Sequence, residues 1–221
     1  MILSQNLLPV FQYLDEHKAD YVRELIRICE VPAPTFQEQE RAAYLASRVK
    51  ALGLDPVIDE VGNVEIPFYR NGGPHVVFSA HLDTVFPFET ITVQRDGSML
   101  QAPGIADDSA GLAALLFLCR AFQETQTVQH GSLTLLAPVG EEGLGNLRGA
   151  RHFFSRRRDL DYFLSLDGCD AERLITTGHG SKRLRIFFRG PGGHSWSDAG
   201  TANSDSRRRR TAFKNQPPLS F

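Results

Sequence analysis

Three segments that are predicted to be buried strands are each followed directly by side chains that can bind a metal ion. The segments are the apolar runs 75–80, 133–139 and 162–166. The polar residues that follow them are His81 and Asp83, Glu141 and Glu142, and Asp167. Because ligands in open α/β sheets bind outside the carboxyl ends of the strands, we expect these side chains to converge in one crevice.

The spacing of these residues favours metal-assisted hydrolysis. His81 and Asp83 are two residues apart on an extended segment, so both point to the same side and the carboxylate can orient the imidazole. Asp107 and Asp108 lie just before a predicted helix, and one carboxylate can bridge two cations. Two zinc ions would account for the excess of acidic groups, with one of the adjacent glutamates binding metal and the other acting as general base.

Taken one at a time, these residues have ordinary structural interpretations. A strand-end histidine, a solvated pair of glutamates and a turn aspartate are each common without any chemistry, and short motifs match by chance. Their joint occurrence at three strand ends is what favours a site.

Two kinds of apolar periodicity predict the elements that hold the site. Apolar residues at three- and four-residue steps over 7–29 predict a helix, and Thr35, with capping-box spacing to Glu38, predicts a second helix that runs to Gly53. Short runs at 57–58 and 64–68 predict two further strands. The Leu- and Ala-rich stretch from Ala110 to Phe122 predicts a helix buried against a sheet. The order of these elements predicts an α/β fold with a mixed, mostly parallel sheet flanked by helices.

Composition excludes several classes of protein. The chain has 221 residues, of which 42% are hydrophobic and 23% charged, and its net charge is −2. These values predict a globular domain without a general basic surface, so we expect no nucleic-acid partner and no membrane partner. No apolar stretch approaches the roughly 20 residues of a membrane span, and the N-terminus lacks the order of a signal peptide. We therefore expect a cytoplasmic protein.

In order and spacing, five segments resemble the zinc-dependent exopeptidase and deacylase family that includes peptidase T, carboxypeptidase G, acetylornithine deacetylase and succinyl-diaminopimelate desuccinylase. They are His81-Leu-Asp83-Thr-Val, Gly104-Ile-Ala-Asp107-Asp108-Ser-Ala-Gly111, Glu141-Glu142-Gly, Leu164-Ser-Leu-Asp167 and Gly190-Pro-Gly-Gly-His194-Ser. The resemblance covers about residues 10 to 203.

The resemblance implies a role for each matching residue. One zinc would be held by His81, Asp107 and Asp167, and the other by Asp107 and Glu142. Asp83 would support the ligands, Glu141 would be the general acid/base, and His194 would stabilise the oxyanion. The implied reaction is hydrolysis of a small peptide or an N-acyl amino acid, with Zn²⁺ replaceable by Co²⁺ or Mn²⁺.

The resemblance also implies a division of the chain. Residues 1–179 would form an incomplete catalytic domain, 180–203 the start of an α+β lid and dimerisation domain, and 204–221 a disordered basic tail. No histidine follows His194, so the family's last zinc-ligand histidine has no counterpart. We interpret the chain as a truncated or frame-shifted member with one well-formed zinc site and one weak site. A homodimer through the lid, where Leu184, Ile186 and Phe188 alternate as a strand, would need a complete lid.

Alternative functions remain open. Glycines between Gly143 and Gly149 follow a strand and could bind a dinucleotide, although the preceding glutamates would repel its pyrophosphate. A serine hydrolase is disfavoured, because Gly193-His-Ser195-Trp-Ser197 lacks the last glycine of the nucleophile elbow. The basic tail could be a nucleic-acid or targeting patch. An inactive metal-binding relative competes with the enzyme, and turnover of dipeptides distinguishes the two.

Overall fold

The computed structural model describes residues 5–87, 89–127, 130–168 and 172–178. Contacts divide the chain into two compact units, Met1–Arg173 and Leu174–Phe221, and the elements named below all lie in the first unit. The predicted lid segment 180–203, including Leu184, Ile186 and Phe188, lies outside the described residues, as do His194 and the tail 204–221.

Five α-helices and seven β-strands occur in the described residues. The helices are α1 (Leu8–Glu16), α2 (Lys18–Cys29), α3 (Gln39–Lys50), α4 (Ala110–Thr125) and α5 (Arg148–Arg156). The strands are β1 (Val57–Ile58), β2 (Val64–Asn71), β3 (His75–Ser79), β4 (Gln94–Asp96), β5 (Met99–Gln101), β6 (Gly131–Ala137) and β7 (Tyr162–Ser165). None of these helices combines the length and the apolar character needed to cross a bilayer.

Five strands form one mixed sheet in the order β1-β2-β6-β3-β7. β3 pairs in parallel with both β6 and β7, whereas β2 pairs antiparallel with β1 and β6. The prediction of a mixed sheet flanked by helices is confirmed. Within this sheet, parallel and antiparallel pairings of the described strands are equally represented, two of each. The remaining strands, β4 and β5, form a separate antiparallel hairpin.

Helices cover both faces of the sheet. Leu112, Leu115 and Leu116 of α4 pack with α2, α3 and one face of the sheet in the main core. Val77 and Leu136 point to the other face and contact Phe153 of α5 in a second cluster. This division follows from the alternation of side chains along a strand, since Val77 and Leu136 are each flanked by residues of the main core.

The N-terminal helices differ from the predicted ones. The predicted helix over 7–29 is divided into α1 and α2 at His17, whose amide and ring nitrogen both bond the carbonyl of Tyr13. The capping-box prediction is wrong, because α3 begins at Gln39 and has no side-chain cap. Thr35 instead donates its hydroxyl hydrogen to Asp83, and Glu38 accepts a hydrogen bond from the amide of Phe36.

Close packing between α5 and the end of β6 generates a prediction about stability. A Cβ atom on Gly149 would lie 2.5 Å from the backbone N and 2.6 Å from the backbone O of Val139. We expect Gly149→Ala to lower the free energy of unfolding by about 1–3 kcal/mol, because the added methyl group overpacks this contact. Urea denaturation measures the change. Gly178→Ala is the control, since no atom of the described residues lies within 4 Å of its added Cβ. Equal effects of the two variants would contradict the prediction.

Candidate metal centre

The register of the three parallel strands brings the predicted polar residues to one edge of the sheet. Ser79, near the end of β3, pairs with Leu136 of β6 and with Ser165 of β7. The three strands therefore end at the same level. His81 and Asp83 follow β3, Glu141 and Glu142 follow β6, and Asp167 follows β7.

Three of the predicted metal ligands form a compact group, which we call the ligand group: His81, Asp107 and Glu142. One ligand atom from each residue lies within 4.8 Å of the other two. Nε2 of His81 is 2.8 Å from Oδ1 of Asp107. His81 is buried, whereas Asp107 is exposed and Glu142 is half-buried, so the group lies at the surface with its imidazole on the inner side.

Asp83 lies beneath this group and is completely buried. Its carboxylate accepts hydrogen bonds from the hydroxyl of Thr35 (2.9 Å) and from the backbone amides of Glu141 (2.9 Å) and Glu142 (3.1 Å). We call these four residues the Asp83 cluster. Burial raises the pKa of Asp83, but the neighbouring His81 and the hydrogen bonds of the cluster outweigh burial and hold the pKa below its ordinary value.

Asp83 also faces the ring of His81. Nδ1 of His81 is 3.6 Å from Oδ1 of Asp83, which is an ion-pair distance but longer than a hydrogen bond. Nδ1 has no hydrogen-bond partner among the described residues. A carboxylate that faces one ring nitrogen in this way can orient the imidazole and influence its tautomer.

Asp107 and Asp108 are adjacent in a kinked turn, Ile105–Ser109, but their side chains lie in different environments. Asp107 belongs to the ligand group, whereas the carboxylate of Asp108 is buried and accepts hydrogen bonds from the amides of His81 (2.9 Å) and Gly111 (3.1 Å). Asp108 therefore joins the end of β3 to the first turn of α4. The sequence analysis placed Asp108 before a predicted helix but did not predict that it links this helix to the end of β3.

The site contains more negative than positive charge. Burial raises the pKa of Glu141, His81 opposes this shift, and Asp167 adds to it; burial and then Asp107 raise the pKa of Glu142. Burial also raises the pKa of Asp108, to about 8. These carboxylates are therefore destabilised in their charged forms by desolvation and by one another.

The same negative charges stabilise the charged form of His81. Burial lowers the pKa of His81, but Asp83, Asp108 and Asp107 more than offset burial and raise the pKa to about 10. A divalent cation bound by the imidazole and the carboxylates would likewise offset the repulsion among these carboxylates. One imidazole nitrogen with carboxylate oxygens is a donor set that zinc accepts, so the residues present fit the metal.

Asp167 and Arg41 complete the surroundings of the site. Asp167 is exposed and is not a member of the ligand group, although its charge raises the pKa of Asp108 and of both glutamates.

Arg41 was not predicted from the sequence. It is fully buried and donates hydrogen bonds to the carbonyls of Val31 (2.8 Å) and Leu82 (3.0 Å). Leu82 stands between His81 and Asp83, so Arg41 supports their backbone. The only signal in the sequence was a charged residue beside the apolar positions of α3.

Comparisons with known proteins identify related sequences. The sequence profile described as Peptidase family M20/M25/M40 matches residues 77–194. A protein of Thermococcus kodakarensis named as a LysW-lysine/LysW-ornithine hydrolase is 30% identical over 164 residues, which are 74% of this chain and 42% of the relative. The cytosol non-specific dipeptidase of Escherichia coli strain K12 is 31% identical over 133 residues, which are 52% of this chain and 27% of the relative.

Solved structures show the same likeness. The aminopeptidase PepT of Bacillus cereus has a TM-score of 0.59 and 27% sequence identity, and the match covers 68% of this chain and 43% of that chain. The chain thus spans less than half of the length of each of these three proteins. The resemblance found in the sequence is confirmed, and because the profile match covers more than half of its residues, the chain belongs to peptidase family M20/M25/M40.

Proposed function

We propose that the chain is a metal-dependent amide hydrolase, either an exopeptidase or an N-acyl amino acid deacylase. The observation that carries the proposal is the ligand group, in which His81, Asp107 and Glu142 from three separate chain segments approach within 4.8 Å of one another. Membership of a family of peptidases supports it. The names of the relatives, a dipeptidase, an aminopeptidase and a LysW-lysine/LysW-ornithine hydrolase, support a small peptide or N-acyl amino acid as substrate.

The ligand group and Asp167 would together hold two metal ions, and Asp107 would be a ligand of both. Zn²⁺ fits these donors, and Co²⁺ or Mn²⁺ are accepted by similar ones. When bound, the metal would lower the pKa of water and polarise the carbonyl of the substrate. Asp83 would orient the imidazole of His81, because it is the carboxylate that faces the other ring nitrogen at 3.6 Å.

Glu141 would carry the proton. Its backbone amide is fixed on Asp83, directly beside the amide of the ligand residue Glu142. From this position the carboxylate of Glu141 would accept a proton from water as the water oxygen bonds to the amide carbon. It would then deliver that proton to the amide nitrogen as the carbon–nitrogen bond breaks. His194, which lies outside the described residues, would stabilise the oxyanion by donating a hydrogen bond.

Two further proposals concern the setting of the reaction. A cytosolic location is supported by the name of the Escherichia coli relative. A homodimer would form through the lid domain in a chain that contains all of it. Turnover of dipeptides and N-acyl amino acids by the zinc-loaded chain tests the enzymatic proposal as a whole, and metal binding without any turnover would favour the inactive metal-binding relative.

Replacing His81 should abolish metal binding. Loss of a residue that only orients a ligand costs about 10–100-fold in metal affinity, so we expect His81→Ala, which removes a ligand, to cost more than about 100-fold. Elemental analysis after equilibration with modest free zinc measures the bound metal per chain. The control is His130→Ala, since His130 is exposed and precedes β6, at the end of that strand opposite to Glu141. Undiminished zinc in His81→Ala would refute the proposed ligand group.

The adjacent glutamates should separate metal binding from proton transfer. We expect Glu141→Gln to retain zinc and to lower kcat by about 10²–10⁴-fold, because the amide cannot accept the proton. Glu142→Gln should instead weaken zinc binding. Calorimetric titration with zinc and steady-state hydrolysis of a dipeptide, carried out on both variants, measure the two effects. Exchanged phenotypes would mean that the roles of Glu141 and Glu142 are the reverse of those proposed.

A further inference from the structure

We propose that the partly buried ion pair between Glu38 and Arg148 is a positioning device for the metal centre, since it holds both chain segments that donate hydrogen bonds to Asp83. Neither residue is a predicted ligand or catalytic group. The expected effect on metal affinity rests on the proposed function. The contacts of Glu38 and Arg148 do not, because they are made within the chain without any metal.

Glu38 holds the first of the two segments. Its side chain is 1% exposed, and its two oxygens accept hydrogen bonds from Arg148 at 2.8 and 2.7 Å. Oε1 of Glu38 also accepts a hydrogen bond from the backbone amide nitrogen of Phe36, at 3.0 Å. Phe36 follows Thr35, whose hydroxyl donates to Asp83. Glu38 therefore fixes the turn that supplies the hydroxyl of the Asp83 cluster.

Arg148 holds the second segment. Its backbone amide donates to the carbonyl of Gly140 at 3.2 Å, and its side chain donates to the carbonyl of Val61 at 2.9 Å. A Cβ atom on Gly140 would lie 2.7 Å from Cγ of Arg148, so the side chain packs directly on this glycine. Gly140 precedes Glu141 and Glu142, whose amides both donate to Asp83.

The ion pair thus joins two segments that are more than a hundred residues apart in the sequence. One segment supplies the hydroxyl donor to Asp83, and the other supplies the two amide donors together with the proposed base and a proposed ligand. Arg148 also lies over the ring of Phe36, 5.5 Å from its centroid, which adds a cation–π contact within the first segment. If the pair is broken, the two segments lose this connection, and the donors to Asp83 are held by the backbone hydrogen bonds that remain, among them Thr35 to Thr84 and Arg148 to Gly140.

A second ion pair of the same kind lies elsewhere in the fold and provides a matched control. Glu24 of α2 is 3% exposed and binds Arg48 of α3, which is 36% exposed, compared with 28% for Arg148. Arg48 donates to both oxygens of Glu24 at 2.9 and 3.0 Å. The further partners of Glu24 are Tyr44 and Arg27, neither of which belongs to the site. Loss of either pair leaves a buried glutamate without its arginine and should destabilise the fold, but only loss of Glu38–Arg148 should disturb Asp83.

Hydrogen exchange in the metal-free chain tests the inference without reference to the proposed function. The amides of Glu141 and Glu142 are the reporters, and Glu38→Gln and Arg148→Lys are compared with Glu24→Gln. Loss of one charge-assisted hydrogen bond corresponds to about a tenfold change in the opening equilibrium, so we expect about tenfold faster exchange in both test variants and not in the control. Arg148→Lys keeps the charge but cannot reach Glu38 and Val61 together.

Metal affinity is the second readout, measured by titration of each variant with Co²⁺ and followed by the absorbance of the bound ion. We expect Glu38→Gln and Arg148→Lys to bind Co²⁺ about 10–100-fold more weakly than the unsubstituted chain, and Glu24→Gln to bind it as tightly as the unsubstituted chain. Urea denaturation of the three variants establishes that they are folded at the temperature of the titration.

The outcomes are decisive in either direction. Faster exchange and weaker Co²⁺ binding confined to the Glu38 and Arg148 variants support the positioning role. Unchanged exchange at Glu141 and Glu142, or an equal change in Glu24→Gln, overturns it. If the unsubstituted chain binds no Co²⁺ while the exchange results hold, the proposed metal centre fails and the positioning of Asp83 stands.

Discussion

The buried carboxylate of Asp83 imposes the constraint on which the rest of the site depends. A charged group without solvent is costly unless it is paired and hydrogen-bonded. Asp83 meets this requirement with the hydroxyl of Thr35, the amides of Glu141 and Glu142, and the nearby ring of His81. These donors belong to segments that are distant in the sequence. The hydrogen bonds that Asp83 needs therefore determine where the turn before α3 and the loop after β6 lie relative to the end of β3.

The same electrostatics divides the carboxylates of the site into two classes. Asp83 has three hydrogen-bond donors, and its pKa stays below the ordinary value although the group is buried. Glu141 and Glu142 lack comparable compensation, and burial with neighbouring acidic groups raises the pKa of each. A cation that binds beside them offsets this repulsion and stabilises their charged forms. The scaffold therefore keeps one carboxylate ionised as a support and leaves others dependent on a positive partner.

The strands and the polar residues at their ends were predictable because each depends on local sequence. The runs at 57–58, 75–80 and 162–166 contain their own apolar signal, and they are strands within about a residue of the predicted bounds. α5 was not predicted as a helix because basic residues dominate Arg148–Arg156, and its buried side is chiefly Phe153. The hairpin of β4 and β5 has mostly exposed residues and no apolar alternation.

The supporting residues could not be predicted from the sequence for a different physical reason. Arg41, Glu38 and Arg148 are polar residues whose partners come from other segments, and the Glu38–Arg148 pair spans 110 positions. No periodicity marks such a pair, because each residue alone looks like part of a solvated surface. The capping-box error at Thr35 has the same origin: its hydroxyl can bond either a nearby helix amide or a distant carboxylate, and only the folded chain shows that Asp83 is its partner.

Stability and site geometry therefore depend on different interactions. The main core consists of apolar contacts among α2, α3, α4 and the sheet, whereas the loop after β6 exposes Leu144 and Leu147 and gains little from burial. That loop is held through the hydrogen bonds of Gly140, Glu141 and Glu142. Hydrogen bonds are directional, so they fix the orientation of a loop more narrowly than the same free energy of apolar burial would. A loop held by hydrogen bonds to its backbone can place charged side chains at defined positions while they face solvent. Apolar packing would fix the same side chains only if they were buried.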